Sequence, residues 1–163
     1  PYFYDSPWSA LLEGKKVLVV SPFADLISEQ YNNSRKQLFE NPYVLPKFNL
    51  KTITAVQTIG TLRDERFSSW FDALEYMKNE VAKIDFDVAL IGCGAYSLPL
   101  ASYIKSLGKG AIHTGESTQI LFGIKGKRWD ENPAVSKFYN ESWVRPTLID
   151  KCEKATTAKG DYR

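Results

Sequence analysis

Two periods of apolar residues alternate along the chain. KKVLVVS (15 to 21) is a continuous apolar run behind the turn residue Gly14, the pattern of a strand buried on both faces. From Ala24 to Phe39 the apolar positions Leu26, Ile27, Tyr31, Leu38 and Phe39 fall at helical spacing, and Asn41-Pro42 stops the run. LKTITAV (50 to 56) is rich in β-branched residues and reads as a second strand, whereas QTIGTLRDERF behind it has no clear period. Between Ser68 and Ile84, Trp70, Phe71, Leu74, Met77, Val81 and Ile84 keep spacings that predict a helix lying on the sheet, capped by Ser68 or Ser69. FDVALIG (86 to 92) is a third strand, YSLPLASYIKSLG (96 to 108) a third helix ending on Gly108, and GAIHTG (110 to 115) a short fourth strand. A short apolar helix around STQILFGI, a basic turn and the segment VSKFYNESW follow.

Strands that alternate with helices bury their apolar faces as a parallel sheet with right-handed crossovers. The expected fold class is therefore α/β: a three-layer Rossmann-like parallel sheet of about four strands, order 2-1-3-4, with helices on both faces. Residues 1–150 are expected to form a single domain, and 151–163 a polar flexible tail.

Composition narrows the partners. At 163 residues, 44% hydrophobic and 25% charged, the chain suits one ordered domain and not a disordered one. The net charge of +2 is small and scattered, with one local cluster in GIKGKRW (123 to 129), so nucleic acid is not an expected partner. No apolar run approaches the roughly 18 residues of a membrane span, and the N-terminus lacks the order of a signal peptide, which together predict no membrane span and a cytoplasmic setting. Cys93 and Cys152 sit in different contexts, so reduced thiols are expected, and no metal-ligand spacing is present. The opening PYFYDSPWS without Met leads us to expect that residues before Pro1 were processed, cleaved or left out.

In open parallel sheets the ligand lies beyond the carboxyl ends of the strands, where the strand order reverses. That rule selects SPF (21 to 23), the region after Val56, GCGAYS (92 to 97) and HTGES (113 to 117), with the switch between SPF and GCGAYS. Phosphate-binding candidates are Ser21, Phe23, Gly92, Gly94, Ala95, Tyr96, Ser97, Gly115 and Ser117, because glycines permit close backbone approach and a helix start offers unpaired amides. Lys125, Lys127 and Arg128 are candidate phosphate clamps, and Trp129 a stacking surface for a base or sugar. Glu116 and the lone histidine, His113, are the candidate catalytic bases. Each has a plainer structural reading: a strand-to-helix turn, a solvated basic loop, a packed histidine, an acid at a helix start. GCGAYS with Glu116 following also imitates a dinucleotide or S-adenosylmethionine fingerprint, although Ser97 stands where a third glycine belongs. Asp85-Phe86-Asp87 has the form of a metal motif but lies at the opposite edge of the sheet, before the third strand. Trp8, Trp143 and Arg145 suit either a cleft wall or packing.

Taken as an ordered set, PWS, KVLVVSPF, LKTITAVQTIG, a strand ending IGCGA and a helix ending LGKGAIHTG resemble the C-terminal half of bacterial and viral glycosyltransferase-like proteins of the GT-D fold type, over residues 1–130. The resemblance implies a transferase of surface-glycan assembly that uses a nucleotide-diphosphate sugar as donor and a glycan as acceptor. It rests best on Gly92, Gly94 and Ala95, then Gly115, Glu116 and Ser117. It also implies an Asp-x-Glu motif for donor and metal in a preceding half; this chain has none, which puts catalysis in doubt more than fold. No cofactor is expected within this chain, and a divalent cation only if an N-terminal segment supplies the acidic motif. The alternatives are a Rossmann-type S-adenosylmethionine or NAD enzyme such as a methyltransferase, and a non-catalytic carbohydrate-binding module.

Overall fold

A computed structural model describes residues 1–58 and 64–146. Its centre is a four-stranded, all-parallel sheet in the order β2-β1-β3-β4, with β1 Lys16–Ser21, β2 Asn49–Thr54, β3 Val88–Ile91 and β4 Gly110–His113. This is the Rossmann-like α/β layout and the strand order that the alternating pattern predicts. Registers are continuous: Val17 pairs with Leu50 and Val88, and Val88 with Gly110.

The faces that the helices cover follow from the strand order and the handedness of the crossovers. Helix α1 (Ala24–Ser34) carries the chain from β1 outward to β2, while α2 (Trp70–Ala82) and α3 (Ser97–Ser106) carry it the other way, to β3 and β4. Right-handed connections that run in opposite directions must cover opposite faces. Val17, Val19 and Leu90 accordingly pack with Ile27 and Tyr31 of α1 and with Ile120, Leu121, Phe122 and Ile124 of the C-terminal region. On the other face, Leu18, Val20, Ala89 and Ile91 meet Leu74, Met77 and Val81 of α2 and Leu100 and Ile104 of α3. Alternate residues of β1 thus serve two cores, which is why it is apolar from Val17 to Val20.

Several boundaries differ from the sequence pattern for identifiable reasons. Helix α1 stops at Ser34, and a 3-10 turn, Arg35–Gln37, replaces its predicted continuation to Phe39. Asn32, Asn33 and Ser34 are weak helix formers, the Arg35 guanidinium donates to the Leu45 carbonyl at 3.1 Å, and Leu38 turns fully into the core. Strand β2 ends at Thr54, two residues early, because β1 ends opposite it; the Ala55 amide makes one more bond, to the Ser21 carbonyl at 3.1 Å. Ser69 is the cap of α2 and accepts from the Asp72 amide at 3.2 Å. Phe71, expected on the buried face of that helix, is 70% exposed. Adjacent helical residues stand about 100° apart, so Trp70 and Phe71 cannot both face inward. Gly108, at φ +75°, ends α3 as predicted.

The C-terminal region adds three short helices, α4 (Ser117–Leu121), α5 (Lys127–Asp130) and α6 (Pro133–Ser136). The predicted basic turn is thus one turn of helix. An isolated parallel bridge, Ile124 to Val144, ties it down. The predicted tail, 151–163, and Cys152 lie outside the described residues. Among the described residues no helix is long and apolar enough to cross a membrane.

Candidate functional site

Because α1 leaves β1 toward one face and α3 leaves β3 toward the other, the carboxyl ends of these two neighbouring strands diverge, and a crevice opens between them. A cleft of about 530 Å³ occupies that position. Three segments line it. Ser21, Pro22 and Phe23 come from the end of β1, Gly92 and Gly94 from the end of β3, and His113 through Gln119 from the end of β4 and the start of α4. Arg128 and Trp129, from α5, complete the lining. Ten of the residues picked out by sequence therefore meet in one place: Ser21, Phe23, Gly92, Gly94, His113, Gly115, Glu116, Ser117, Arg128 and Trp129.

The other five stand elsewhere. Tyr96 is buried, its ring stacked on Trp70 with centroids 4.9 Å apart and its hydroxyl 2.7 Å from the Thr58 hydroxyl. Ser97 is fully buried, and its hydroxyl accepts from the Cys93 amide at 3.0 Å. Ala95 and Lys127 are exposed outside the lining. The Lys125 ammonium lies over the Tyr139 ring, 5.4 Å from its centroid. GCGAYS is thus divided: its glycines face the cleft, while Tyr96 and Ser97 anchor the turn that presents them.

The two glycines differ in what they do. Gly94 sits at φ +59° with open space where a side chain would go, so the turn needs glycine for its backbone conformation. Gly92 has no such angle; a Cβ there would come within 2.3 Å of the Thr118 hydroxyl and 2.5 Å of the Gly115 carbonyl oxygen. Its lack of a side chain lets the loop after β4 sit directly on the end of β3. That loop is internally bonded: the Thr118 hydroxyl donates to the Gly115 carbonyl at 2.7 Å and lies 2.6 Å from the Thr114 hydroxyl, and the Ser117 hydroxyl donates to the Thr114 carbonyl at 2.6 Å. The amides of Thr114 and Gly115 both reach the Ile91 carbonyl, at 3.0 and 3.1 Å. Thr114, Thr118, Gln119 and Pro22 line the cleft without having been singled out by sequence. For Thr118 and Gln119 a signal existed, two polar residues opening the apolar run ILF, which marks buried polar groups.

The start of α1 adjoins this cleft, and the turn ahead of α3 enters it through Gly94, with the Tyr96 and Ser97 amides already bonded to the Cys93 and Gly94 carbonyls. The first-turn amides of an α-helix have no partner within the helix, and those of α1 follow directly on Ser21-Pro22-Phe23. The Ser21 hydroxyl holds that turn by accepting from the Phe23 amide at 3.2 Å. The start of α3 is reached through the 3-10 turn Gly94–Tyr96. Among the side chains, Glu116 forms an ion pair with Arg128 at the rim. The His113 imidazole stands over Gly115, exposed to solvent. Cys93, behind the cleft, is 5% exposed, and burial pushes its thiol pKa up, with the Ser97 hydroxyl partly opposing the shift.

The remaining candidates are structural. At the far edge of the sheet Asp85 pairs with the Lys16 ammonium at 2.5 Å and Asp87 accepts from the Lys16 amide at 2.8 Å, so that motif fastens β1 to β3. Trp143 is buried, donating to the Leu38 carbonyl at 3.0 Å, and Arg145 pairs with Asp130 at 3.0 Å. Trp8 sits in the 3-10 turn Trp8–Leu12, away from the cleft lining. Among the described residues no three His, Cys, Asp or Glu side chains are grouped to hold a metal ion. No family model matches the chain, and neither a curated protein nor a solved structure matches it.

Proposed function

We propose that the cleft holds the diphosphate of a nucleotide-activated sugar and that this chain is a glycosyltransferase-type donor domain acting toward a glycan acceptor. One observation carries the reading: the segment that leads into α1, the glycine turn after β3 and a guanidinium, Arg128, meet in a single cleft at the point where strand order reverses. Backbone amides at a helix start and a planar guanidinium are the donors that phosphate oxygens accept from best. In transfer, the bond from the sugar to the diphosphate breaks and negative charge collects on the departing oxygen; donors already in place stabilise that charge without reorganising. His113, exposed at the cleft wall, is the group in this chain placed to take an acceptor hydroxyl proton. Glu116 takes that role less readily, because its carboxylate is engaged by Arg128. Among the described residues no three His, Cys, Asp or Glu side chains are grouped to hold a divalent cation. A cytoplasmic setting, where activated sugars are available, belongs to this reading.

Thermal unfolding with and without ligand tests it. Inorganic pyrophosphate, nucleoside diphosphates or their sugars should raise Tm, and a chain that none of them stabilises is not a donor domain. A second reading, an S-adenosylmethionine or NAD enzyme, draws on Glu116 lying in the same cleft as the glycine turn, at the end of the adjacent strand β4. It predicts stabilisation by one of those cofactors that disappears in Glu116→Ala.

A further inference from the structure

We infer that Gln119 is the specificity-determining residue of the cleft: its carboxamide reads the edge of the nucleobase, whose face stacks on Trp129. The inference rests on the nucleotide reading above and deepens it.

Six polar residues are buried among the described residues. Five have side-chain partners: Ser9 with the Tyr43 carbonyl, Ser21 with the Phe23 amide, Gln30 with two carbonyls, Ser97 with the Cys93 amide and Thr118 with the Gly115 carbonyl. Gln119, at 8% exposure, has no hydrogen bond to its side-chain amide among the described residues, and its amide is not sealed off: the buried side-chain atom without a partner there is the Tyr139 hydroxyl, so the Gln119 amide keeps contact with solvent. Buried polar groups left unpaired are costly enough that native interiors almost always satisfy them. The Gln119 amide meets that requirement through the cleft, which the residue lines, and not through the protein. A ligand that matches the amide replaces the water to which a solvent-facing carboxamide otherwise bonds.

The neighbouring residues limit what the ligand is. A Cβ on Gly126 would fall 2.4 Å from the Gln119 Nε2 and 3.3 Å from the Trp129 Cδ1. Amide and indole therefore sit side by side over one glycine, which leaves both in place because it has no side chain. A carboxamide presents a donor and an acceptor in one plane, the complement of the paired donor and acceptor on a base edge. An indole offers a flat apolar face on which such a ring stacks. Sugar hydroxyls, which do not lie in one plane, match the pair less well. Arg128, next in sequence to Trp129, stands at the same cleft and places the phosphate end of the ligand nearby.

Titration calorimetry of the whole chain with inorganic pyrophosphate and with the diphosphates of uridine, cytidine, adenosine and guanosine tests this. The wild type should prefer one base by about tenfold or more, the worth of one or two good hydrogen bonds. Gln119→Met, similar in size but without the amide, should lose the preference while binding pyrophosphate as before. Gln119→Glu, which can only accept, should shift the preference toward bases that offer an amino group. Gly126→Ala, whose methyl displaces the amide without changing either side chain, should flatten the preference again. A base preference that survives in all three variants, with pyrophosphate binding intact, overturns the role of Gln119 and leaves the diphosphate reading standing. A wild type that binds diphosphates without regard to base also overturns it. If pyrophosphate and all four diphosphates fail to bind the wild type, both readings fall together.

Discussion

At the scale of single residues, the two glycines of the β3 turn separate two requirements that look alike in sequence. Gly92→Ala forces a methyl against a backbone carbonyl and a bonded threonine, and should cost about 1–3 kcal/mol through overpacking, a fall in Tm of roughly 2–10 °C. Gly94→Ala meets open space and bears only the left-handed backbone penalty, about 1–2 kcal/mol. Differential scanning calorimetry of the pair checks both, and crystallography of Gly92→Ala should show the loop of Thr114 and Thr118 displaced while Gly94→Ala leaves it unmoved. The cations are distinguished in the same way. Arg128→Ala should weaken pyrophosphate binding by about tenfold or more, whereas Lys125→Ala and Lys127→Ala should leave the Kd within about twofold, as neither lysine lines the cleft. Sequence shows three cations in a row of four residues but not that Lys127 and Arg128 project about 100° apart on a helix. The Gln119 amide was illegible for a related reason: a polar residue beside ILF announces burial and says nothing of an absent partner.

At the scale of elements, the cap and face of α2 allow a direct comparison. Ser69→Ala removes the side-chain acceptor of the Asp72 amide and should destabilise by about 1 kcal/mol. Phe71→Lys, on the exposed side, should stay within about 0.5 kcal/mol of wild type, whereas Leu74→Ala, buried in the core on that face of the sheet, should lose about 2–5 kcal/mol. Urea unfolding curves measure all three, and a loss at Phe71 comparable to that at Leu74 would mean that the helix is rotated from the position described. The strands and their sequence order were legible because β3 and the Val17 to Val20 stretch of β1 are continuously apolar and each crossover helix carries one apolar stripe. Boundaries were less so. Where α1 gives way to a 3-10 turn, the decision is made by Arg35 finding the Leu45 carbonyl and by Leu38 finding the core, contacts between segments that periodicity cannot register. Similarly, β2 is shortened by the length of its neighbour and not by its own residues.

At the scale of the whole molecule, the sheet, the cleft and the N-terminal arm are joined by buried groups that resist ionisation. Burial pushes the pKa of Cys93, Tyr2 and Tyr31 upward. Each group holds its proton more tightly folded than unfolded, so its contribution to stability is complete below the unfolded pKa and is lost as pH rises from there through the folded value. With thiols near 8.5 and phenols near 10 when unfolded, Tm should be level from about pH 6 to 8 and fall above about pH 8.5. In a Cys152→Ser background, Cys93→Ala should lessen the first part of that fall; an unchanged profile would remove the thiol from the account. The position of the cleft was legible at this scale once the order 2-1-3-4 was taken as the expectation, because handedness then sends α1 and α3 to opposite faces. The arm was not. Tyr2 donates to the Ser117 carbonyl at 3.1 Å, 115 residues away, and stacks on Phe39 with centroids 5.5 Å apart. During synthesis at about 5–20 residues per second, Tyr2 leaves the ribosome on the order of ten seconds before its partner at the cleft exists. Tyr2 is thus fastened long after it is made, and the loop that carries Ser117 receives its brace from a segment synthesised 115 residues earlier.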